Sequence, residues 1–331
     1  VLFSVSPDIF DASYAYIIVI FIGIPVTYLY NLLSGIMRSL GDSKSPLIFL
    51  VISSVLNIAF DVIAIDGLHL GVAGAAGATV LAQAISGVCC LVYLIKKFPI
   101  LRVHGEEWRW RGRFVARLCS MGIPMGLQYS ITAIGSVILQ TAVNGLGSVV
   151  VASMTAGGKL SMFFCCPFDA FGSTMATYAG QNLGAGKLDR VTKGMVQCSF
   201  VAAGYSVVAA IVMILFGKSF ALLFVDSTEV EIIRNVAQLL VINSLFFIPL
   251  ALVNIIRFAI QGLGFGKLAI FAGVAEMVGR SIVGFGFVSR FGFVAACLAS
   301  PIAWILADIF LIPAYAYCIR KLRPIIQEKK E

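Results

Sequence analysis

PLIFLVISSVLNIAFDVIAI, residues 46–65, carries one charge, Asp61, in twenty positions. Wound as an α-helix at about 1.5 Å per residue, such a block reaches roughly 30 Å, the depth of a bilayer's hydrocarbon core. Eight other blocks read the same way, at 13–37, 71–95, 118–145, 149–179, 194–217, 235–261, 268–289 and 292–319. The chain of 331 residues is 60% hydrophobic and 12% charged, against roughly 25% charged in a soluble domain. A soluble fold could not cover that much apolar surface. A β-barrel does not fit either, because barrel strands are only about ten residues long and alternate polar with apolar. The sequence therefore reads as an all-α integral membrane protein with nine crossings.

A net charge of +8 would suggest a nucleic-acid partner in a soluble protein. Here the basic residues sit in short connectors and report topology instead, with no nucleic acid implied. Connectors after the first, third, fifth, seventh and ninth blocks hold 18 of the 24, from Arg38 and Lys44 through Lys96–Arg117, Lys187–Lys193 and Lys267 to Arg320–Lys330. The positive-inside rule makes these cytoplasmic and puts the C-terminus inside. The longest connector, KKFPILRVHGEEWRWRGRF, has Trp108 and Trp110 among alternating charges. It suits either a segment lying along lipid headgroups or a solvated linker between halves. Eight cysteines fall inside or at the ends of apolar blocks without a CxxC pair, which marks them as packing residues rather than metal ligands. The opening VLFSVSPDIF has neither a Met nor a basic n-region, pointing away from a signal peptide and toward a start inside a longer protein.

An internal repeat organises the chain. NLLSGIMRSLGDSK (31–44) laid over NIIRFAIQGLGFGK (254–267) pairs Asn31 with Asn254, Leu40 with Leu263, Gly41 with Gly264 and Lys44 with Lys267, an offset of 223. Downstream GVAGAA at 71 meets GFVAAC at 292, an offset of 221, and upstream Ile24-Pro25 lies near Ile248-Pro249. Both loops are cytoplasmic, so the repeats run parallel about an axis along the membrane normal. The repeat makes the nine helices part of twelve in two bundles. Residues 1–97 are then the last three helices of an N-terminal bundle, 98–117 a cytoplasmic amphipathic linker, 118–319 a six-helix C-terminal bundle and 320–331 a cytoplasmic tail.

GIMRSLGDSKSPLIFLVISSVLNIAFD followed by GVAGAAGATVLAQ resembles the fourth-to-sixth-helix region of multidrug and toxic compound extrusion (MATE) transporters. IPMGLQYSITAIGSVILQTAVNGLGSVVVAS and YAGQNLGAGKLDR resemble the seventh and eighth helices of the same family. The loop residues Arg38, Gly41, Asp42, Lys44 and Pro46 carry the first part of the match. The resemblance implies a two-bundle antiporter, not an enzyme, that uses no cofactor and exports small cationic or amphipathic organic compounds in exchange for Na⁺ or H⁺. It further implies a bacterial inner (plasma) membrane, contact with membrane lipid and a monomeric full-length protein. One departure stands out. Sodium-coupled members use acids of the seventh and tenth helices, yet 118–145 and 235–261 contain no Asp or Glu.

Polar residues inside spans usually face a bundle interior or a wet cavity. Gln128, Thr132, Ser136, Gln140 and Asn144 recur every fourth residue, which suits either the wall of a substrate cavity between bundles or plain interhelical hydrogen bonding. Lys159 and Asp169 are expected in the interior, ten residues apart and so off one stripe; Lys159 joins the cavity set and Asp169 is a coupling-ion candidate. Glu276 and Arg280, four apart, suggest a self-neutralising pair, with Glu276 kept as a second coupling candidate and Asp308 as a third. Prolines inside spans offer bending points. A lipid-linked oligosaccharide flippase of the same superfamily is the alternative, and should show a more cationic cavity than Lys159 and Arg280 provide. A membrane-embedded enzyme is the least favoured: the only histidines, His69 and His104, lie in loops, and no HExxH or GxSxG occurs.

Overall fold

A computed structural model describes residues 7–101, 105 and 109–328. It contains α1 (Pro7–Ser39), α2 (Lys44–Val62) running into a π-turn at Ile63–Gly67, and α3 (Gly71–Lys97). After a short 3₁₀ turn at Pro99–Leu101 follow α4 (Gly112–Asn144), α5 (Ser148–Gly184), α6 (Leu188–Ala221), α7 (Val230–Leu245), α8 (Phe247–Gly262), α9 (Gly266–Gly286) and α10 (Val288–Glu328). Eight of the described helices are long and apolar enough to cross a membrane, and α7 with α8, bent by 54°, makes a ninth. The expected all-helical membrane architecture is therefore present. Pro249 accounts for the bend, because it lacks an N–H and its ring meets the carbonyl four residues back, at Leu245, where α7 stops.

Several helices overrun the apolar blocks. α4 starts at Gly112 rather than 118, and α10 continues through the expected tail to Glu328. Apolarity marks the hydrocarbon, whereas a helix carries on into the headgroups as long as its Arg and Lys side chains reach water. The chain divides into two compact units, Val1–Trp110 and Arg111–Glu331. Of the connector residues, Arg102, His104 and Trp108 lie outside the described set, as do Lys329 and Lys330, while Trp110 is 82% exposed.

In the first unit α3 packs against α1 and α2 around Leu33, Met37, Cys90 and Leu94. The loop motif closes its end. Asp42 accepts from the Ser45 N–H at 3.0 Å and the Ser45 hydroxyl at 2.8 Å, capping α2. It also accepts from Lys97 Nζ at 2.7 Å and from the Tyr93 hydroxyl at 3.1 Å, both on α3. Tyr30 donates to the Pro46 carbonyl at 3.1 Å, and Arg38 to the Ser34 hydroxyl at 2.9 Å. The Lys97 ammonium and the Ser45 donors hold the Asp42 carboxyl well below the usual carboxylate range.

The repeat read from sequence has a matching geometry. Gly41 and Gly264 take φ of 87° and 89°, and Gly71 and Gly292 take 58° and 59°. Each turn closes with the same bonds at the same offset: Asp42 N–H to Met37 O at 3.0 Å and Phe265 N–H to Ile260 O at 3.1 Å. These are Schellman closures, which need a residue with positive φ and so favour glycine. Chemistry varies inside the shared frame. Where Lys97 meets the Asp42 carboxylate, Lys321 sits 5.8 Å from the Phe265 ring centre.

In the second unit α8 is buried on nearly every side, against α5, α6, α9 and α10, as expected for a helix apolar all round. Small residues let backbones touch. A Cβ on Gly262 would run into the Ala176 carbonyl of α5, one on Gly279 would reach 2.9 Å from Ala303 Cα of α10, and one on Gly135 2.9 Å from Met277 Cα of α9. All eight cysteines are free, with Cys90, Cys297 and Cys318 buried.

Candidate functional site

Three helices of the second unit bring polar faces together inside an apolar core. On α8 Asn254, Arg257 and Gln261 follow at spacings of three and four, which stacks them on one face. On α9 Gly273, Glu276 and Arg280 do the same, and α4 contributes Gln128 and Thr132. The glycine sets the approach: a Cβ on Gly273 would come within 3.0 Å of both Gln128 Cγ and the Gln128 carbonyl oxygen.

Glu276 is the hub. Arg257 Nη1 donates to its Oε1 at 3.1 Å, and Arg280 Nη2 to its Oε2 at 3.5 Å. Arg257 Nη2 also donates to Asn254 Oδ1 at 2.6 Å, and Arg280 Nη1 to the Thr132 carbonyl at 3.1 Å. Gln261 Nε2 donates to Gln128 Oε1 at 2.9 Å. Glu276, Arg257 and Arg280 are 3%, 7% and 8% exposed, so desolvation must be offset by these contacts. The expected Glu276–Arg280 pair is thus present but not self-contained, since its shorter contact is to Arg257 from another helix. Arg257 went unnoticed in the sequence. Its signal was the spacing of Asn254, Arg257 and Gln261 on an otherwise apolar helix.

Two guanidinium groups against one carboxylate leave one positive charge over. Asp308 of α10 is the fourth charge, buried and within electrostatic reach of Glu276, and its Oδ1 has no partner among the described residues. An ionised Asp308 offsets that positive charge, and Asp169 of α5 is within electrostatic reach of Arg257 as well. Gln128 Nε2, Thr132 Oγ1, Gln261 Oε1 and Arg257 Nε are likewise buried without partners among the described residues. Such groups mark where water or an ion completes the bonding.

The other sequence candidates lie elsewhere. The α4 stripe turns out of the core, because every fourth residue drifts roughly 40° around a helix. Gln128 is buried and Thr132 half-buried, while Ser136, Gln140 and Asn144 are exposed, with Gln140 Nε2 donating to Asn144 Oδ1 at 2.9 Å. Lys159 and Asp169 lie on the exposed face of α5. The buried face of α5 runs through Gly157, Leu160, Phe168 and Gly172, and both charges fall off that stripe. Asp169 remains within electrostatic reach of Arg257.

The MatE family profile matches residues 1–63 and 124–285. The chain belongs to the MatE family. Over 218 residues it is 34% identical to the probable multidrug resistance protein YpnP of Bacillus subtilis (strain 168), which covers 65% of this chain and 48% of that protein. Over 256 residues it is 28% identical to the multidrug resistance protein PmpM of Pseudomonas aeruginosa, covering 74% of this chain and 52% of that protein. The chain spans about half the length of these curated MatE relatives. Its fold matches the outward-facing conformation of a multidrug resistance MATE family transporter of the MOP superfamily with a TM-score of 0.89 and 19% identity, over 97% of this chain and 72% of that one. It is accordingly a multi-pass membrane protein of a family that includes named multidrug resistance proteins.

Proposed function

We propose that the chain serves a cation-coupled antiporter that exports cationic or amphipathic organic compounds by alternating access, with Na⁺ or H⁺ as the coupling ion. The observation that carries the reading is Asp308, a buried carboxylate with an open oxygen beside a cluster to whose charge it contributes. An ionisable residue at membrane depth is costly to keep and usually serves the transported or coupling species. Binding a cation at Asp308 would change the electrostatic balance around Glu276, and with it the hold of Arg280 on the Thr132 carbonyl of α4. The multidrug names of the relatives support the substrate class. Both buried arginines are tied to Glu276, which weighs against the flippase reading and its free cationic lining. Asp308→Asn keeps the side-chain volume and removes the charge. The expected result is loss of cation-driven exchange in a protein that still folds; wild-type exchange in this variant would remove Asp308 from the mechanism.

A further inference from the structure

α6 and α10 part at the end of the second unit where the basic connectors lie, leaving a cavity of about 490 Å³. It is lined by Thr192 of α6 and by Tyr315, Ile319, Arg320, Arg323 and Gln327 of α10. Tyr315, Ile319, Arg323 and Gln327 recur every fourth residue, so they form one stripe of roughly 18 Å along α10. Its lower half is cationic and its upper half is apolar with one hydroxyl. Neither Arg320 nor Arg323 has an ion-pair partner among the described residues. Lys321, between them, turns toward the Phe265 and Tyr317 rings instead. The Tyr315 hydroxyl is closed off from solvent and turned toward the Thr192 hydroxyl of α6.

The same two helix faces continue upward as an apolar track. Val196 and Phe200 follow Thr192 at four-residue steps on α6, and Ile312 and Ile309 continue the α10 face, all of them exposed. From Thr192 to Phe200 the track rises roughly 12 Å, most of one leaflet's hydrocarbon depth. Two unpaired guanidiniums below, with an open apolar track above, match one ligand chemistry: a phosphate head bearing acyl chains. The positive-inside pattern places this end at the cytoplasmic leaflet. A soluble phosphate would leave the apolar track unused.

We propose that this cavity binds an anionic phospholipid of the cytoplasmic leaflet, with Arg320 and Arg323 on the phosphate and acyl chain along the α6–α10 groove. The site stands apart from the Glu276 cluster and does not depend on which ion drives transport. Native mass spectrometry of the detergent-purified protein tests it, titrating phosphatidylglycerol or phosphatidylcholine. The expected wild-type result is clear preference for phosphatidylglycerol. Arg320→Ala/Arg323→Ala should lower phosphatidylglycerol affinity about thirtyfold, at roughly fivefold per basic group near the surface. Lys218→Ala/Arg234→Ala, which removes the two cations of a cavity between α6 and α7, should leave that affinity within twofold. Equal losses in the two variants, or no loss in the first, would overturn the proposal. So would inorganic phosphate displacing phosphatidylglycerol at equal concentration, which would identify a soluble-anion site.

Discussion

Replacing Glu276 with Gln removes the carboxylate that both Arg257 and Arg280 contact, at 3.1 and 3.5 Å. Both guanidiniums stay buried, and their other bonds, to Asn254 and the Thr132 carbonyl, supply no countercharge. Breaking a buried ion pair by removing one partner costs about 3–5 kcal/mol, so Glu276→Gln should destabilise the second unit by that much. Apportioning the loss needs double variants. Coulomb energy falls inversely with separation, so Glu276 should couple more strongly to Arg257 than to Arg280. The expected coupling energies are on the order of 1–3 kcal/mol, with Arg257 at the upper end. Chemical denaturation in detergent, followed by the fluorescence of Trp304, reads this out, because Trp304 packs in the core of that unit. Additive losses for Glu276→Gln and Arg257→Gln would refute the hub, as would stronger coupling to Arg280.

Gly262→Ala places a methyl against the Ala176 carbonyl of α5 and 2.9 Å from Ala176 Cα; overpacking of this kind costs roughly 1–3 kcal/mol, whereas Gly158→Ala, with open space around it, should be neutral or better in the same denaturation assay. Gly41→Ala and Gly264→Ala meet no neighbour but sit at φ of 87° and 89°, so each should cost about 1–2 kcal/mol of backbone strain, and unequal costs would argue against equivalent turns. Asp42→Asn removes the Lys97 ion pair. Because Asp42 is held below its unfolded value near 3.8, its contribution is present above that pH and fades as pH falls further. Protection factors of amides at the α1–α2 turn should therefore fall on acidification in the wild type and be less pH-dependent in the variant.

The membrane architecture was legible because hydrocarbon imposes a length and a composition on each helix, and Gly41 and Gly264 marked the repeat because a positive φ narrows the choice of residue. What the sequence hid was direction. Gln128 and Asn144 share a four-residue rhythm, yet the drift around the helix buries the first and exposes the last. Lys159 and Asp169 lie within an apolar block, but charge inside a block says nothing about which face it occupies. Arg257 was overlooked although its spacing from Asn254 and Gln261 was visible, since only the fold shows that α9 brings Glu276 to it.

Gradient-driven efflux tests the central proposal most directly. The protein, reconstituted in liposomes loaded with a fluorescent organic cation, should export it when an inward Na⁺ or H⁺ gradient is imposed and stop when that gradient is collapsed. Efflux indifferent to both gradients, or none for any cation tried, would contradict it.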